Sequence, residues 1–216
     1  MPEGPEVKTM MGNVADIAHG KDLISVRVIK EDFLKKTKGL ERMQDSLPLE
    51  IIDVKTKGKF GYILLADGSA VGITFGMSGN IRIDPTAAEL ERRGETEAQY
   101  MNHCKIEFRV RDRDQEAETK FYFHCVRNFA WVYYFNSTEL GKKLSTIGPS
   151  ILSDTELEEG ILRARWRKQN SKSICVVLMD QKSISGIGTY IKAEILYRAR
   201  ICPLARVQDL EDQDLW

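Results

Sequence analysis

An α+β architecture of two domains is expected for this chain, from three features. The opening residues repeat apolar side chains at helical spacing. A long middle section alternates apolar and polar residues in short runs rich in β-branched and aromatic side chains. After about Gly141 the spacing becomes helical again. With 216 residues and 42% hydrophobic content, the chain can bury a sizeable core in one or two domains.

Pro5–His19 is expected to be a helix. Val7, Met10, Met11, Val14 and Ile17 share one face, Pro5 suits the first turn, and Gly20 suits the end. Eight runs then read as strands: Leu23–Ile29, Leu49–Lys55, Phe60–Leu65, Ala70–Phe75, Asn80–Ile83, Lys105–Val110, Thr119–His124 and Ala130–Phe135. Asp67-Gly68 is a hairpin signal, and the polar run Arg111–Glu118 is another connection. Short strands without long helices between them imply a β-sandwich or a barrel. The polar stretch Ala87–Gln99 reads as a helical insert or a loop. Beyond it, helices are expected at Asp154–Lys168 (capped by Ser153 or Asp154), Ser173–Gln181 and Thr189–Arg200, the last entered through the turn Gly186-Ile187-Gly188. The division is therefore residues 1–140, a helix plus β-sandwich, and 141–216, a helical domain, with the boundary near 141–150.

Net charge is formally zero, so charge balance gives no argument for a nucleic-acid partner. The distribution is more informative. Between Ile161 and Arg200 stand Arg163, Arg165, Arg167, Lys168, Lys172, Lys182, Lys192, Arg198 and Arg200 against only Asp180 and Glu194. Such a block reads either as a phosphate-binding face or as a solvated helical surface. The cysteines, Cys104, Cys125, Cys175 and Cys202, form no CxxC pair, and no signal peptide precedes the chain, so an intracellular protein is expected. His103-Cys104 and His124-Cys125 mimic a metal-ligand set. Neighbours on a strand point to opposite faces, however, which argues against all four meeting at one ion. No apolar stretch is long enough to span a membrane.

The start of the chain carries chemistry. Removal of Met1 would leave Pro2 as a free secondary amine, titrating at roughly 7.7–8.0 against about 10.4 for lysine. An amine unprotonated at neutral pH can attack a sugar C1′ and form an iminium. Glu3 beside it is a candidate proton shuttle. Helix N-termini favour anions, which suits both this start and the Gly186-Ile187-Gly188 turn to DNA phosphate. A helical hairpin without such a role is the alternative for that turn.

Met1-Pro2-Glu3-Gly4-Pro5-Glu6-Val7 resembles the start of the formamidopyrimidine-DNA glycosylase/endonuclease VIII family. Leu178-Met179-Asp180-Gln181 followed by Gly186-Ile187-Gly188-Thr189-Tyr190-Ile191-Lys192 resembles the core of that family's helix–two-turns–helix domain. Lys57-Gly58-Lys59-Phe60, Phe75-Gly76-Met77-Ser78-Gly79 and Arg127-Asn128-Phe129 match in the same order, so the resemblance spans nearly the whole chain. It implies a base-excision repair glycosylase with AP lyase activity by β,δ-elimination. Carried over to matching positions, Pro2 is the nucleophile, Glu3 a proton donor during ring opening, Glu6 an orienting group and Lys59 a phosphate-side cation. Met77, Arg127 and Phe129 fill the void left by a flipped nucleotide, since the target cannot be reached inside the duplex. Gly188, Thr189 and Lys192 lie in the stretch that binds DNA.

Two positions depart from the family pattern: Thr189 stands where Asn is usual, and Asn128 where a second Arg is common. Gly4 and Gln181 lean towards the endonuclease VIII-like branch, which favours oxidised pyrimidines and ring-opened purines. Family members continue into a β-hairpin finger, so the helical domain is expected to be incomplete, with weakened DNA binding and activity at this length. No cofactor is expected within the chain; a zinc finger, if the full protein has one, would lie beyond Trp216. The expected partner is damaged double-stranded DNA, with single-stranded DNA open, bound by a monomer wherever DNA is held, nucleus or nucleoid. Two other readings stay open: a non-catalytic DNA-binding protein or inactive fragment of the same fold, and an unrelated enzyme using an N-terminal proline as base. The second leaves Lys59, Met77 and Arg127 unexplained.

Overall fold

The computed structural model describes residues 1–153 and 157–215. The chain forms two compact units, and each borrows from distant sequence. The first holds Met1–Pro2, Lys8–Thr56 and Phe60–Leu140; the second holds Glu3–Val7, Lys57–Lys59 and the chain from Gly141 onward.

In the first unit, helix α1 (Gly4–Ala18) continues out of the borrowed turn and buries Met11, Val14 and Ala18 on one face. It packs against β4 at Gly61, where a Cβ would come within 2.6 Å of the Met11 sulfur. The strands are β1 (Asp22–Val28), β2 (Thr37–Lys38), β3 (Leu49–Lys57), β4 (Phe60–Leu65), β5 (Ala70–Thr74), β6 (Gly79–Ile83), β7 (Cys104–Arg111), β8 (Glu118–Cys125) and β9 (Trp131–Phe135). They hydrogen-bond in the order β2-β9-β5-β4-β3-β1-β7-β8-β6. In a flat sheet β5 and β8, five places apart, would be separated by about 24 Å. Yet Phe75, directly after β5, meets Phe123 of β8 with ring centroids 5.9 Å apart. The sheet therefore folds onto itself as a sandwich, with both edges, β2 and β6, left open, and is not a closed barrel. Phe33, Phe75, Phe108, Phe121 and Phe123 fill the interior.

All eight expected strands are present, within two residues at their ends. The ninth, β2, is only two residues long and has no alternation to read. The Ala87–Gln99 stretch forms two helices, α2 (Ala87–Arg93) and α3 (Glu97–Met101). Each begins with a capping box, Thr86 with Glu89 and Thr96 with Gln99. A helix absent from the sequence expectation, α4 (Ser137–Ser145), is announced by the reciprocal Asn136–Glu139 cap at 2.9 and 3.0 Å.

The second unit contains α5 (Glu159–Arg167), α6 (Ile174–Met179) and α7 (Thr189–Ala199). Leu162, Trp166, Ile174, Val177, Leu178, Ile184, Ile187, Leu196 and Val207 form its core. The expected start of α5 is corrected: its N-cap is Glu158, which makes no side-chain cap bond, while Asp154 to Glu156 lie outside the described residues. The basic block is partly consumed within the unit. Arg167 donates to the carbonyls of Val207 and Leu210 and to Asp212, Arg163 pairs with Glu159 and Asp212, and Arg198 pairs with Glu194. Among the described residues no helix is long and apolar enough to cross a membrane.

Candidate functional site

Glu3 is the centre of the second unit's site. Its side chain is buried, and its carboxylate accepts three backbone N–H bonds from the start of α7: Gly188 (2.6 Å) and Ile191 (3.2 Å) to Oε2, and Tyr190 (3.0 Å) to Oε1. A helix N-terminus leaves its first N–H groups without intrahelical partners and carries the positive end of the helix dipole. Glu3 meets both needs from almost the whole chain length away. Alongside it, the Gly4 N–H donates to the Gly186 carbonyl at 2.8 Å. The glycines are required by this closeness. A Cβ on Gly188 would overlap the Glu3 carboxyl group, and one on Gly4 would come within 3.1 Å of the Gly186 Cα. Gly186 itself has φ of 101°, a left-handed value that glycine adopts without strain.

Glu6 supports the same segment. Its Oε2 accepts the Glu3 N–H at 3.0 Å, and its Oε1 accepts the Tyr190 hydroxyl at 2.6 Å. Burial alone would push the Glu6 carboxyl up, but the Tyr190 hydroxyl and local N–H bonds outweigh it and hold it below its ordinary value. The Tyr190 hydroxyl is pushed up to about 12, first by burial and then by its bond to Glu6.

Lys59 enters this unit on the short turn between β3 and β4. Gly58 has φ of 57°, and a Cβ there would lie 2.5 Å from the Ser185 Cβ, so the turn rests directly on the loop before α7. Lys59 is half-buried. Burial lowers its ammonium pKa, while the nearby Glu3 charge works in the opposite sense. The loop is clamped by Gln181, which donates to the carbonyls of Met179 (3.1 Å) and Ile187 (2.9 Å) and accepts the Gly186 N–H (3.1 Å). Thr189 is exposed as the first residue of α7, and Lys192 is half-buried one turn later.

The other expected residues assemble within the first unit. Met77 lies on the β5–β6 turn, 43% exposed, and Phe129 on the β8–β9 loop, 57% exposed, with Arg127 exposed beside it. The two loops are joined without use of the Met77, Arg127 or Phe129 side chains. Arg127 N–H donates to the Ser78 hydroxyl at 3.1 Å, and a Cβ on Gly76 would lie 2.5 Å from the Phe129 carbonyl oxygen. Both apolar side chains are thus exposed on loops tied to each other.

Pro2 is half-buried, directly before Glu3, and Met1 is 54% exposed. Thus Glu3, Glu6, Lys59, Gly188, Thr189 and Lys192 gather in one unit, and Met77, Arg127 and Phe129 in the other. Sequence reasoning missed Tyr190 as the partner of Glu6 and Gln181 as the clamp of the turn. Nothing in the linear chain pairs residue 6 with residue 190. The His-Cys pairs lie on and beside β7 and β8. Cys104 is buried and donates to the Tyr100 carbonyl, and burial pushes His124 down to about 4. Among the described residues no group of three or more His, Cys, Asp and Glu is placed to hold a metal ion.

Residues 1–132 match the family described as the formamidopyrimidine-DNA glycosylase N-terminal domain. The formamidopyrimidine-DNA glycosylase of Mycoplasma pneumoniae is 27% identical over 213 residues, covering 97% of this chain and 71% of that protein. The one from Bacillus anthracis is 26% identical over 218 residues, covering 100% and 72%. Among solved structures, the Lactococcus lactis enzyme bound non-covalently to AP-site DNA superposes with a TM-score of 0.79 at 20% identity, over 99% of this chain and 74% of that one. The Thermus thermophilus protein gives 0.74 at 22%, over 99% and 70%. The structural likeness establishes the fold. The match over residues 1–132, more than half of the chain, establishes that it belongs to the formamidopyrimidine-DNA glycosylase family.

Proposed function

We propose that this protein is a DNA glycosylase of base-excision repair that removes oxidised bases and then cuts the abasic site, using Pro2 as nucleophile. The observation that carries the reading is the Glu3 anchor. A buried carboxylate, held by the N–H groups of Gly188, Tyr190 and Ile191, fixes the residue next to the N-terminal amine at the start of α7. Once Met1 is removed, the Pro2 nitrogen attacks C1′, the C1′–base bond breaks, and the base leaves with a proton. Ring opening takes a proton at O4′ and leaves an iminium between Pro2 and C1′. Loss of a C2′ proton then expels the 3′ phosphate, a second elimination expels the 5′ phosphate, and water releases the amine. Glu3 relays the proton of this scheme, its carboxylate taking the one lost from the Pro2 nitrogen after attack and delivering it to O4′, while Glu6 orients the N-terminal segment and Lys59 supplies the cation beside the developing negative charge.

Met77, Arg127 and Phe129 serve as the void-filling set, an apolar wedge pair with a donor for the orphaned base. Thr189 and Lys192, with the Gly188 turn, contact the backbone of damaged duplex DNA, and the protein acts as a monomer. Lactococcus lactis relatives have been solved with DNA containing an abasic site, Fapy-dG and an oxidised pyrimidine, which supports the lesion class.

The test is borohydride trapping on duplex DNA carrying one abasic site. The processed chain gives a covalent adduct, the Met1-retaining chain gives none, and Pro2→Gly gives much less. Absence of an adduct from the processed chain removes the lyase assignment and leaves a DNA-binding role. The same assay on single-stranded abasic DNA ranks the two substrates.

A further inference from the structure

We infer that Asn128 is a positioning residue: tethered to Asp32, it sets the left-handed turn that aims Arg127 and Phe129 outward. The inference rests on the void-filling role proposed above for those two side chains. Asn128 has φ of 52°, and only it and Arg200 among non-glycine described residues have positive φ. Asparagine tolerates this region better than most side chains, but glycine would reach it at no cost. The side chain explains the choice. Its Nδ2 donates to Asp32 Oδ2 at 2.8 Å. Asp32 in turn receives the Lys105 ammonium on both oxygens, at 2.9 and 3.2 Å. The Lys105 side chain is only 6% exposed and is rooted in β7. A chain of bonds therefore runs from a central strand to the tip of the β8–β9 loop.

The loop is held at three successive residues, each time without using the side chains proposed to enter DNA. The Arg127 backbone is tied to Ser78, the Asn128 side chain to Asp32, and the Phe129 backbone lies against Gly76. Arg127 and Phe129 are thereby left to project from a braced turn. One further fact separates this from ordinary loop packing. The Asn128 Oδ1 is buried with no hydrogen-bond partner among the described residues. A buried acceptor without a partner is a cost, so stability alone would not select asparagine here. Preorganisation explains why it is worth keeping: a wedge already fixed loses less conformational freedom when it enters the duplex.

The test uses the full chain. Amide exchange at residues 126–130 is measured without DNA. Binding is measured to a duplex carrying a stable abasic analogue and to the same intact duplex. Asp32→Ala should speed exchange at 127–129 and lower the abasic-to-intact binding ratio by about three- to tenfold, with intact binding changed less than about twofold. Adding Asn128→Gly to Asp32→Ala should cost nothing more, because both remove one tether. Asp32→Asn, which keeps an acceptor for Nδ2, should restore most of the ratio. If Asp32→Ala is too unstable because it strands the Lys105 ammonium, Asp32→Ala with Lys105→Met removes the orphan charge and gives the same readings. Unchanged exchange at 127–129, or losses that multiply in the double variant, overturn the inference. Phe129→Ala separates it from the reading beneath it. If Phe129→Ala lowers the ratio and Asp32→Ala does not, the tether alone is wrong. If Phe129→Ala changes nothing, the wedge assignment falls and the tether inference with it.

Discussion

Replacing Glu3 with Gln changes one oxygen to an NH₂ group and tests the anchor at single-atom resolution. The best orientation keeps oxygen at the Oε2 position, preserving the bonds from Gly188 (2.6 Å) and Ile191 (3.2 Å). The amide NH₂ then faces the Tyr190 N–H, a donor against a donor, where the native carboxylate accepts at 3.0 Å. Losing a hydrogen bond to a charged group costs about 1.5–3 kcal/mol. Removing a buried charge offsets part of this, and the unpaired Tyr190 N–H adds to it, for a net of about 2 kcal/mol. In a domain of this size that lowers Tm by about 4–8 °C. Hydrogen exchange by mass spectrometry or NMR supplies the site-specific reading. The Tyr190 amide should lose the most protection, about 30-fold, with Gly188 and Ile191 less affected. A Tm within about 1 °C of the parent, or a loss of protection spread evenly through the second unit, would mean that these three bonds do not hold the N-terminal segment.

Other substitutions follow from the same geometry. Lys59→Met should abolish efficient borohydride trapping while raising Tm by about 1–3 °C, because burial disfavours the ammonium in the folded state; a fall in Tm would contradict the burial cost. The sign is that of a lysine with a lowered folded pKa: the parent gains stability as pH rises through its folded value towards about 10.4, and Lys59→Met lacks that gain. Tyr190→Phe removes the bond to Glu6 and should cost on the order of 1 kcal/mol, a figure discounted for Tyr190 being 49% exposed. Glu6 is held below its ordinary value and Tyr190 is pushed up to about 12, so this cost should be constant through neutral pH. It should shrink as pH falls below the ordinary glutamate value of about 4.3 and through the lower value Glu6 has in the fold, and again as pH rises through the tyrosine's own titration; a cost that stays flat throughout an acid series of denaturant melts would refute the pairing. Gly58→Ala combines a positive φ with a 2.5 Å approach to Ser185 and should cost about 2–4 kcal/mol in urea melts, whereas Gly12→Ala, inside α1 and meeting nothing, should gain about 0.4–1 kcal/mol.

The strands are legible in the sequence because each has a buried face that writes a period of two into it. Helix α1 is legible for the same reason at a period near four. What stays hidden has a physical cause in each case. Strand β2 is too short to carry any period. The helices α2, α3 and α4 are mostly exposed, so their signal lies in capping residues such as Thr86 with Glu89 and Asn136 with Glu139, and not in an apolar stripe. The site residues come from motif resemblance, and their partners do not. Gly4 and Gln181 read, in sequence, as marks of the endonuclease VIII-like branch. Each has a local job, Gly4 in the close approach to Gly186 and Gln181 in clamping the turn, so neither has to reflect a lesion preference. The basic block suggests a phosphate face, but Arg163, Arg167 and Arg198 are tied within their own unit, which a count of charges does not reveal.

Glu3 makes the proposed chemistry inseparable from the architecture. The carboxylate proposed as the proton relay also caps α7, next to a Gly4 backbone bonded to Gly186, and its charge acts on the half-buried Lys59. The arrangement also constrains sequence at a distance: residues 4, 58 and 188 must lack side chains because the N-terminal segment and the Lys59 turn lie so close to the loop and start of α7. The opening proline thus depends on more than its amine. It sits one residue from a carboxylate that cannot swing, because three N–H groups hold it. Moving that carboxylate by the width of one methyl group, as Gly188→Ala would, should disturb the cap and the catalytic acid together. A variant that loses trapping with full protection at Gly188, Tyr190 and Ile191 would separate the two roles and show that the cap is not what positions the acid.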